Sequence, residues 1–368
     1  MANSSKTYEN AAKRWEGVGP YYAMFPTHFS DAVVSEFTQP GDSILDPFSG
    51  RGTAIFSALA SDRIGIGIEI NPVGWVYAKT KLNPAPPARV IARLLEINEE
   101  ASTFTRAAEK LSDFFHHCFA PVTRQFLLAA RAKLDWKKNQ CDRTLMSLLL
   151  IYLHGKQGQA FSNQMRQTKS MSPQYSIDWW KKRNMTPPEI EPVNFMLKRI
   201  NWRYAKGAME ENGSEAFWDD AVTRLPMLGK WIAERGLSKP SLLLTSPPYF
   251  AVTNYHYDQW LRLWLLGYSE DTKKKLGPHQ GRFIDASSYT QLLCKTFSSA
   301  SEVLDDNATV YVRTSNSEFT RETTRQALLE AFPNKSLMEY CQPFSKPTQT
   351  HLFGDKTPKA GEIDFVMQ

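Results

Sequence analysis

The chain predicts an α/β fold: an open sheet with helices on both faces, interrupted by a mainly helical inserted domain. Three observations carry the prediction. Short apolar runs alternate with helical stretches near both ends of the chain. One such run, Ser43–Phe48, passes through Gly50 and Gly52 directly into a helical stretch. Another, Leu242–Leu244, stops at Thr245-Ser246-Pro247-Pro248-Tyr249, where two consecutive prolines have no N–H to continue a ladder.

The composition sets the bounds. A length of 368 residues, 42% hydrophobic and 22% charged, is that of a globular protein with ample core. No apolar run reaches the roughly 18 residues of a membrane span, and Met1–Lys6 lacks the apolar centre of a signal peptide. Cys118, Cys141, Cys294 and Cys341 show no C-x-x-C spacing. Neither a zinc site nor a disulfide framework is therefore expected, and a reducing cytoplasm is. The net charge of +6 is unevenly spread. Between Arg124 and Lys206 there are 16 Lys/Arg against 5 Asp/Glu, a local balance of +11 that leaves −5 for the remainder. A basic segment on an acidic body points to a polyanionic partner met through one region, or else to a solvated helical face.

In chain order, residues 1–30 read as a loop whose aromatics Trp15, Tyr21, Tyr22 and Phe25 pack on something. Ser30 is expected to cap a helix over Asp31–Phe37, and Pro40-Gly41-Asp42 to turn. The strand Ser43–Phe48, the Ser49–Thr53 turn, the helix Ala54–Ala60 and the strand Arg63–Glu69 follow. Strand, glycines, helix, strand and terminal acid is the geometry of a nucleotide site. The glycines let a ligand approach the backbone, Asp46 can accept from a cationic amine, and Glu69 from ribose hydroxyls. A helix over Val73–Lys81 and the Pro84–Pro87 break close this first part, residues 1–84.

Residues 85–215 form the insert. Val90–Ala108 and Leu145–Leu153 read as core helices. Residues 156–185 are rich in amides, hydroxyls and cations, among them Ser162, Asn163, Gln164, Arg166 and Lys169, types that bond base edges and phosphates. Trp179, Trp180, Lys181, Lys182 and Arg183 suit stacking and backbone contact with nucleic acid, or a Trp pair buried between helices. Pro187, Pro188 and Pro192 mark a linker before a basic helix over Phe195–Lys206 that carries Arg199 and Arg203.

The last part, residues 216–368, returns to the α/β pattern. Helices are expected over Leu225–Arg235, Ser287–Leu304 and Glu322–Ala331, a polar loop over Lys273–Gly281, and a strand over Ala308–Val312. The tail Gln349–Val366 reads as an antiparallel hairpin at a sheet edge.

Asp46-Pro47-Phe48-Ser49-Gly50-Arg51-Gly52-Thr53 together with Thr245-Ser246-Pro247-Pro248-Tyr249 resembles the DNA amino-methyltransferases, in particular the branch acting on N4 of cytosine. The resemblance spans residues 15–84 and 216–368 and implies a Rossmann-like methyltransferase sheet that binds S-adenosyl-L-methionine (SAM). It further implies that Phe48, Gly50, Gly52 and Thr53 form the turn over SAM, with Asp46 near its amino group and Glu69 on its ribose. Asp220 would read the adenine amino group, and Phe25 and Pro26 would pack on the methionine end. The long insert before Asp220 departs from the simpler layouts of the family.

On this resemblance the Thr245–Tyr249 corner is catalytic. Ser246 and the carbonyl of Pro247 would accept the hydrogens of an exocyclic amine, Pro248 would stiffen the loop, and Tyr249 would stack on a flipped base. The chain has no Pro-Cys dipeptide, so a cysteine nucleophile for C5 methylation is not placed. The expected partner is double-stranded DNA, contacted by Arg166, Lys169, Lys181, Lys182, Arg183, Arg199 and Arg203, with a cognate restriction endonuclease on the same site; no membrane and no metal are expected. Adenine N6, an RNA base amine, or a non-catalytic subunit with a relic SAM fold are the open alternatives.

Overall fold

The computed structural model describes residues 8–20, 26–251, 254–271, 283–342 and 361–368. Seven strands make one sheet: β1 (Ser43–Asp46), β2 (Ile64–Glu69), β3 (Glu215–Trp218), β4 (Leu242–Thr245), β5 (Thr309–Ser315), β6 (Leu337–Gln342) and β7 (Glu362–Met367). Their order is β3-β2-β1-β4-β5-β7-β6. β1 to β5 run parallel, and β7 enters antiparallel between β5 and β6.

Alternation along each strand supplies both faces. Leu45, Leu243, Val310 and Val312 pack on one side with helices Ala221–Glu234, Ala286–Val303 and Glu318–Ala331. Ile44, Leu242, Leu244 and Tyr311 pack on the other with helices Thr27–Phe37 and Thr53–Leu59. β2 reads I-G-I-G-I-E because helix 53–59 lies directly on it: a Cβ at Gly65 would sit 2.4 Å from the Ile55 carbonyl oxygen.

Between helix Pro72–Leu82 and β3 the chain makes mostly helices, including Pro87–Glu100, Pro121–Lys133, Gln140–Tyr152, Pro173–Lys181 and Pro192–Tyr204. These do not close on a core of their own. One apolar cluster runs from Trp15, Ile55 and Tyr77 through Phe126, Leu149 and Trp180 to Trp260 and Trp264.

Several sequence expectations need correction. Ser30 is not a cap: the helix begins at Thr27, after Pro26, and Ser30 is buried inside it. Pro192 opens the helix 192–204 rather than ending a linker, because its missing N–H falls where the first turn has no partner and Glu191 caps the next two N–H groups. The expected helix from Val90 to Ala108 is broken after Glu100 by a tight turn over Ala101–Phe104. The tail hairpin pairs β7 with an earlier strand, β6 from Leu337, and β6 rather than β7 is the edge. The expected polar loop 273–281 and the segment around Gly354 lie outside the described residues.

Candidate active site

The strand order places the site. From β1 the chain builds outward through β2 to β3, then returns to lay β4 on the other flank of β1. Loops leaving the carboxyl ends of β1 and β4 therefore diverge and open a crevice between them. The loop after β1 carries the glycine turn; the loop after β4 carries Ser246-Pro247-Pro248-Tyr249. The last residues of the two strands are joined, since the Thr245 hydroxyl donates to Asp46 Oδ1 at 2.6 Å.

The glycine turn is held from beneath. Phe48 N–H donates to Asp46 Oδ1 (3.1 Å), Ser49 N–H to the Ile68 carbonyl (3.0 Å) and Gly50 N–H to Glu69 Oε2 (2.6 Å). Glu69 Oε1 accepts from Asn71 N–H at 2.7 Å, so one carboxylate ties the turn to the start of helix 72–82. Gly50 and Gly52 have φ of +54° and +73°, in the left-handed region that favours glycine. Nothing lies within 4 Å of where a Gly50 Cβ would point, whereas one at Gly52 would meet Ala78 at 2.8 Å. The upper surface of the turn is thus open and its lower surface packed. Thr53 is buried at the first position of the helix, where its hydroxyl takes a hydrogen bond from Arg51 Nε (3.3 Å).

Asp46 and Glu69 are both buried, and no cation of a described residue pairs with either. Burial pushes each carboxyl up to about 7, against the hydrogen bonds that favour ionisation. Asp46 Oδ1 takes both of its hydrogen bonds; Oδ2 takes none from a described residue. Two buried carboxyls without a cationic partner among the described residues, beside the open face of the glycine turn, suit a ligand that carries a positive charge and hydroxyl donors.

On the opposite lip, Pro247 and Pro248 are buried and Ser246 and Tyr249 half-buried. The Tyr249 hydroxyl donates to Glu362 Oε1 at 2.9 Å, and Arg313 stands 4.0 Å from the other Glu362 oxygen. Arg313 is itself clamped by both oxygens of Asp364 at 2.6 Å. Phe250 anchors the loop against Tyr289 and Phe319, and Ala251 takes a φ of +59° while its N–H reaches the Phe283 carbonyl at 2.7 Å.

The remaining sequence candidates distribute as follows. Asp220 caps helix 221–234, accepting from Val222 N–H at 2.9 Å, and the preceding Asp219 N–H bonds the Glu69 carbonyl. Asp220 therefore lies beside the end of β2, on the same edge as the glycine turn. Pro26 is exposed ahead of helix 27–37, and Phe25 lies outside the described residues. Lys181, Lys182 and Arg183 are exposed at the end of helix 173–181, with Arg183 stacked over Trp179 at 4.1 Å and Lys181 3.8 Å from Asp113. Trp180 is fully buried and bonds the Gln164 carbonyl, so the Trp pair is divided between core and surface. Lys169 pairs with Asp258 (2.7 Å), Arg166 is half-buried, and Arg199 stacks on Phe195 at 3.8 Å.

Arg203 corrects its expectation. It is buried, donates to the Arg14 carbonyl and lies over Trp202 and Trp15, so its guanidinium joins two helices and does not face a partner. Ser162 and Asn163 likewise turn inward: Asn163 Nδ2 donates to the carbonyls of His117 and Met185.

Sequence reasoning passed over several residues that build the site. Arg51 reaches from the glycine turn to the carbonyls of Glu16 and Gly19, fastening the N-terminal segment (3.1 and 3.2 Å). Gly74 allows helix 72–82 to touch the turn: a Cβ there would lie 2.7 Å from the Gly50 oxygen and 2.9 Å from Glu69 Cγ. Glycine three residues after a helix cap was the available signal. No such signal marked Glu362, which meets Tyr249 across 113 positions. Among the described residues no group of three or more His, Cys, Asp and Glu could hold a metal ion.

Comparison with known proteins bears on the N-terminal part. Residues 2–76 match the model of the DNA methylase family. The type II methyltransferase M.Cfr9I of Citrobacter freundii is 43% identical over 54 residues, covering 15% of this chain and 18% of that protein. M.XycI of Xanthomonas campestris pv. cyanopsidis is 34% identical over 17% of this chain and 21% of its own. M.MjaII of Methanocaldococcus jannaschii is 27% identical over 26% and 18%. The matched part of the chain thus spans about a fifth of the length of these relatives. An rRNA methyltransferase of Streptomyces viridochromogenes aligns over 96% of this chain and 88% of its own at 15% identity, but its TM-score of 0.36 carries no argument. The segment similar to DNA methylases contains β1, the glycine turn, β2 and Glu69, which form one wall of the crevice.

Proposed function

We propose that the chain is a SAM-dependent DNA methyltransferase that methylates N4 of cytosine within a specific duplex sequence, as the modification half of a restriction-modification pair. The observation that carries the proposal is the meeting of two walls at the switch point. The glycine turn with Asp46 and Glu69 stands on one side and Ser246-Pro247-Pro248-Tyr249 on the other, with Thr245 bonded to Asp46 at 2.6 Å. The similarity of residues 2–76 to DNA methylases supports the same reading.

Bound SAM would supply a methyl group on a positively charged sulfur. Asp46 and Glu69 are the groups that would hold such a ligand, Asp46 through its free oxygen and Glu69 through the remaining lone pairs of oxygens already bonded to Gly50 and Asn71. Asp220 would read the adenine amino group, and Phe48 and Thr53 would belong to the turn over SAM. An exocyclic amine is a poor nucleophile because its lone pair is delocalised into the ring. Ser246 Oγ and the Pro247 carbonyl would accept its two hydrogens and localise that lone pair towards the methyl group. Tyr249 would stack on the base once it leaves the helix, and the two prolines would keep Ser246 from moving as the nitrogen turns tetrahedral. Lys181, Lys182, Arg183, Arg166, Lys169 and Arg199 would meet the duplex.

The test is methyl transfer from labelled SAM to mixed-sequence duplex DNA, followed by digestion to nucleosides and mass analysis. N4-methylcytosine is expected, and Ser246→Ala lowers turnover on the order of 10²-fold while SAM affinity stays unchanged. Finding N6-methyladenine alone would overturn the acceptor; full activity in Ser246→Ala would overturn the catalytic assignment.

A further inference from the structure

We propose that the groove between the turn at residues 155–164 and the helix 192–204 is a binding site for the phosphate backbone of duplex DNA. That the polyanion is DNA rests on the function proposed above. The groove has a volume of about 760 Å³ and, among the described residues, is lined by three cations, Lys156, Lys198 and Arg199, and by no carboxylate. None of the three pairs with a carboxylate of a described residue, although other insert cations do so, Lys169 with Asp258 and Lys181 with Asp113. Like charges gathered without counter-charge repel one another, and a polyanion relieves that repulsion.

The backbone that carries Lys156 is held in place in advance. The turn closes on itself through the Gly155–Gln164 and Gln157–Ala160 bridges, with Gly158 at φ +78°. It is pinned from outside by Phe161 N–H to the Tyr152 carbonyl (2.8 Å) and by Trp180 Nε1 to the Gln164 carbonyl (2.7 Å). The Arg199 guanidinium sits over the Phe195 ring at 3.8 Å, which restricts its position. A groove whose walls are already ordered loses less entropy on binding.

The groove wall is fastened to the buried core. The Gln167 carbonyl on its wall accepts a hydrogen bond from Arg262, which is fully buried and also donates to the Leu150 carbonyl at 3.0 Å. Arg262 stands in the helix Trp260–Leu265, shortly after the Ser246–Tyr249 loop. Arg262 thereby ties the Gln167 end of the groove wall and helix Gln140–Tyr152 to helix Trp260–Leu265.

The test measures binding of the full chain to a mixed-sequence duplex as a function of salt. Lys156 and Lys198 are exposed, so Lys156→Gln with Lys198→Gln leaves the fold intact; Lys239→Gln, exposed and outside the groove, is the control. Each lost phosphate contact reduces the slope of log K against log[salt] by about 0.9, so the double variant is expected to lose about 2 and the control nothing. A double variant with the control's slope, in protein that still methylates DNA, overturns this inference alone. Competition by polyglutamate as effective as by duplex would also overturn it, by assigning the groove to an acidic peptide. Wild-type protein that binds SAM but no duplex would overturn both this inference and the function on which it rests.

Discussion

Removing the Glu362 carboxylate is predicted to weaken catalysis through Tyr249 while leaving cofactor binding intact. The Tyr249 hydroxyl donates to Glu362 Oε1 at 2.9 Å, and Glu362 is steadied by Arg313, itself locked on Asp364. A hydrogen bond to a charged acceptor is worth about 1.5–3 kcal/mol when buried. The Glu362 side chain is 30% exposed, so water competes and about 1–2 kcal/mol is the fitting range. If that energy serves to orient the ring, its loss lowers kcat/KM about 5- to 30-fold. The assay is transfer of labelled methyl to duplex DNA by Glu362→Ala, Tyr249→Phe and the pair together. Both single variants should lose similar activity and the double no more than either, because each breaks the same bond. Glu362→Gln, whose amide oxygen still accepts, should recover most of the loss. Additive losses, or full activity in Glu362→Ala, would refute the reasoning.

Two further outcomes follow from the cofactor wall. Gly74→Ala forces a Cβ within 2.7 Å of the Gly50 oxygen and must displace the turn; it should cost about 1–3 kcal/mol in denaturant unfolding and weaken SAM binding by about tenfold in calorimetry. The raised carboxyls give a pH dependence of definite sign. Asp46 and Glu69 hold protons more tightly folded (about 7 each) than unfolded, so their contribution to stability is complete below pH about 4 and is lost as pH rises to about 7. Over the same range, binding of a cationic ligand should strengthen, approaching tenfold per pH unit for each carboxyl that must ionise. Asp46→Asn should flatten both profiles, and profiles identical to wild type would show that Asp46 does not titrate there.

Much of the architecture was legible because it is written in local chemistry. Pro247 and Pro248 ended β4 within a residue of expectation, since proline has no N–H to give. The glycine turn and the acid ending β2 were legible because φ near +54° and +73° demands glycine and because β2 alternates glycine with isoleucine under helix 53–59. Where local signals misled, a neighbour had overridden them. Ser30 resembles a cap, but helix 27–37 begins earlier against the sheet. β6 was missed because Leu337–Gln342 is an edge strand whose Met338 and Tyr340 remain exposed, so no buried apolar run announces it.

Charge was the least legible property. A count of +11 cannot say which cations are spent within the protein. Within that count Arg203 reads no differently from Lys156 and Lys198, yet Arg203 is buried and bonds a carbonyl while the two lysines line a groove that has no carboxylate among its described residues. Strand ends, turn conformations and motif residues depend on neighbours a few positions away and so can be read along the chain. Which donor each carboxylate meets depends instead on the tertiary structure: the Thr245 hydroxyl on Asp46 across 199 positions, the Tyr249 hydroxyl on Glu362 across 113, and the Gly50 N–H on Glu69 across 19. Such pairings arise from the order in which strands are laid into the sheet, and that order is set by the burial of both faces at once rather than by any one stretch of the chain.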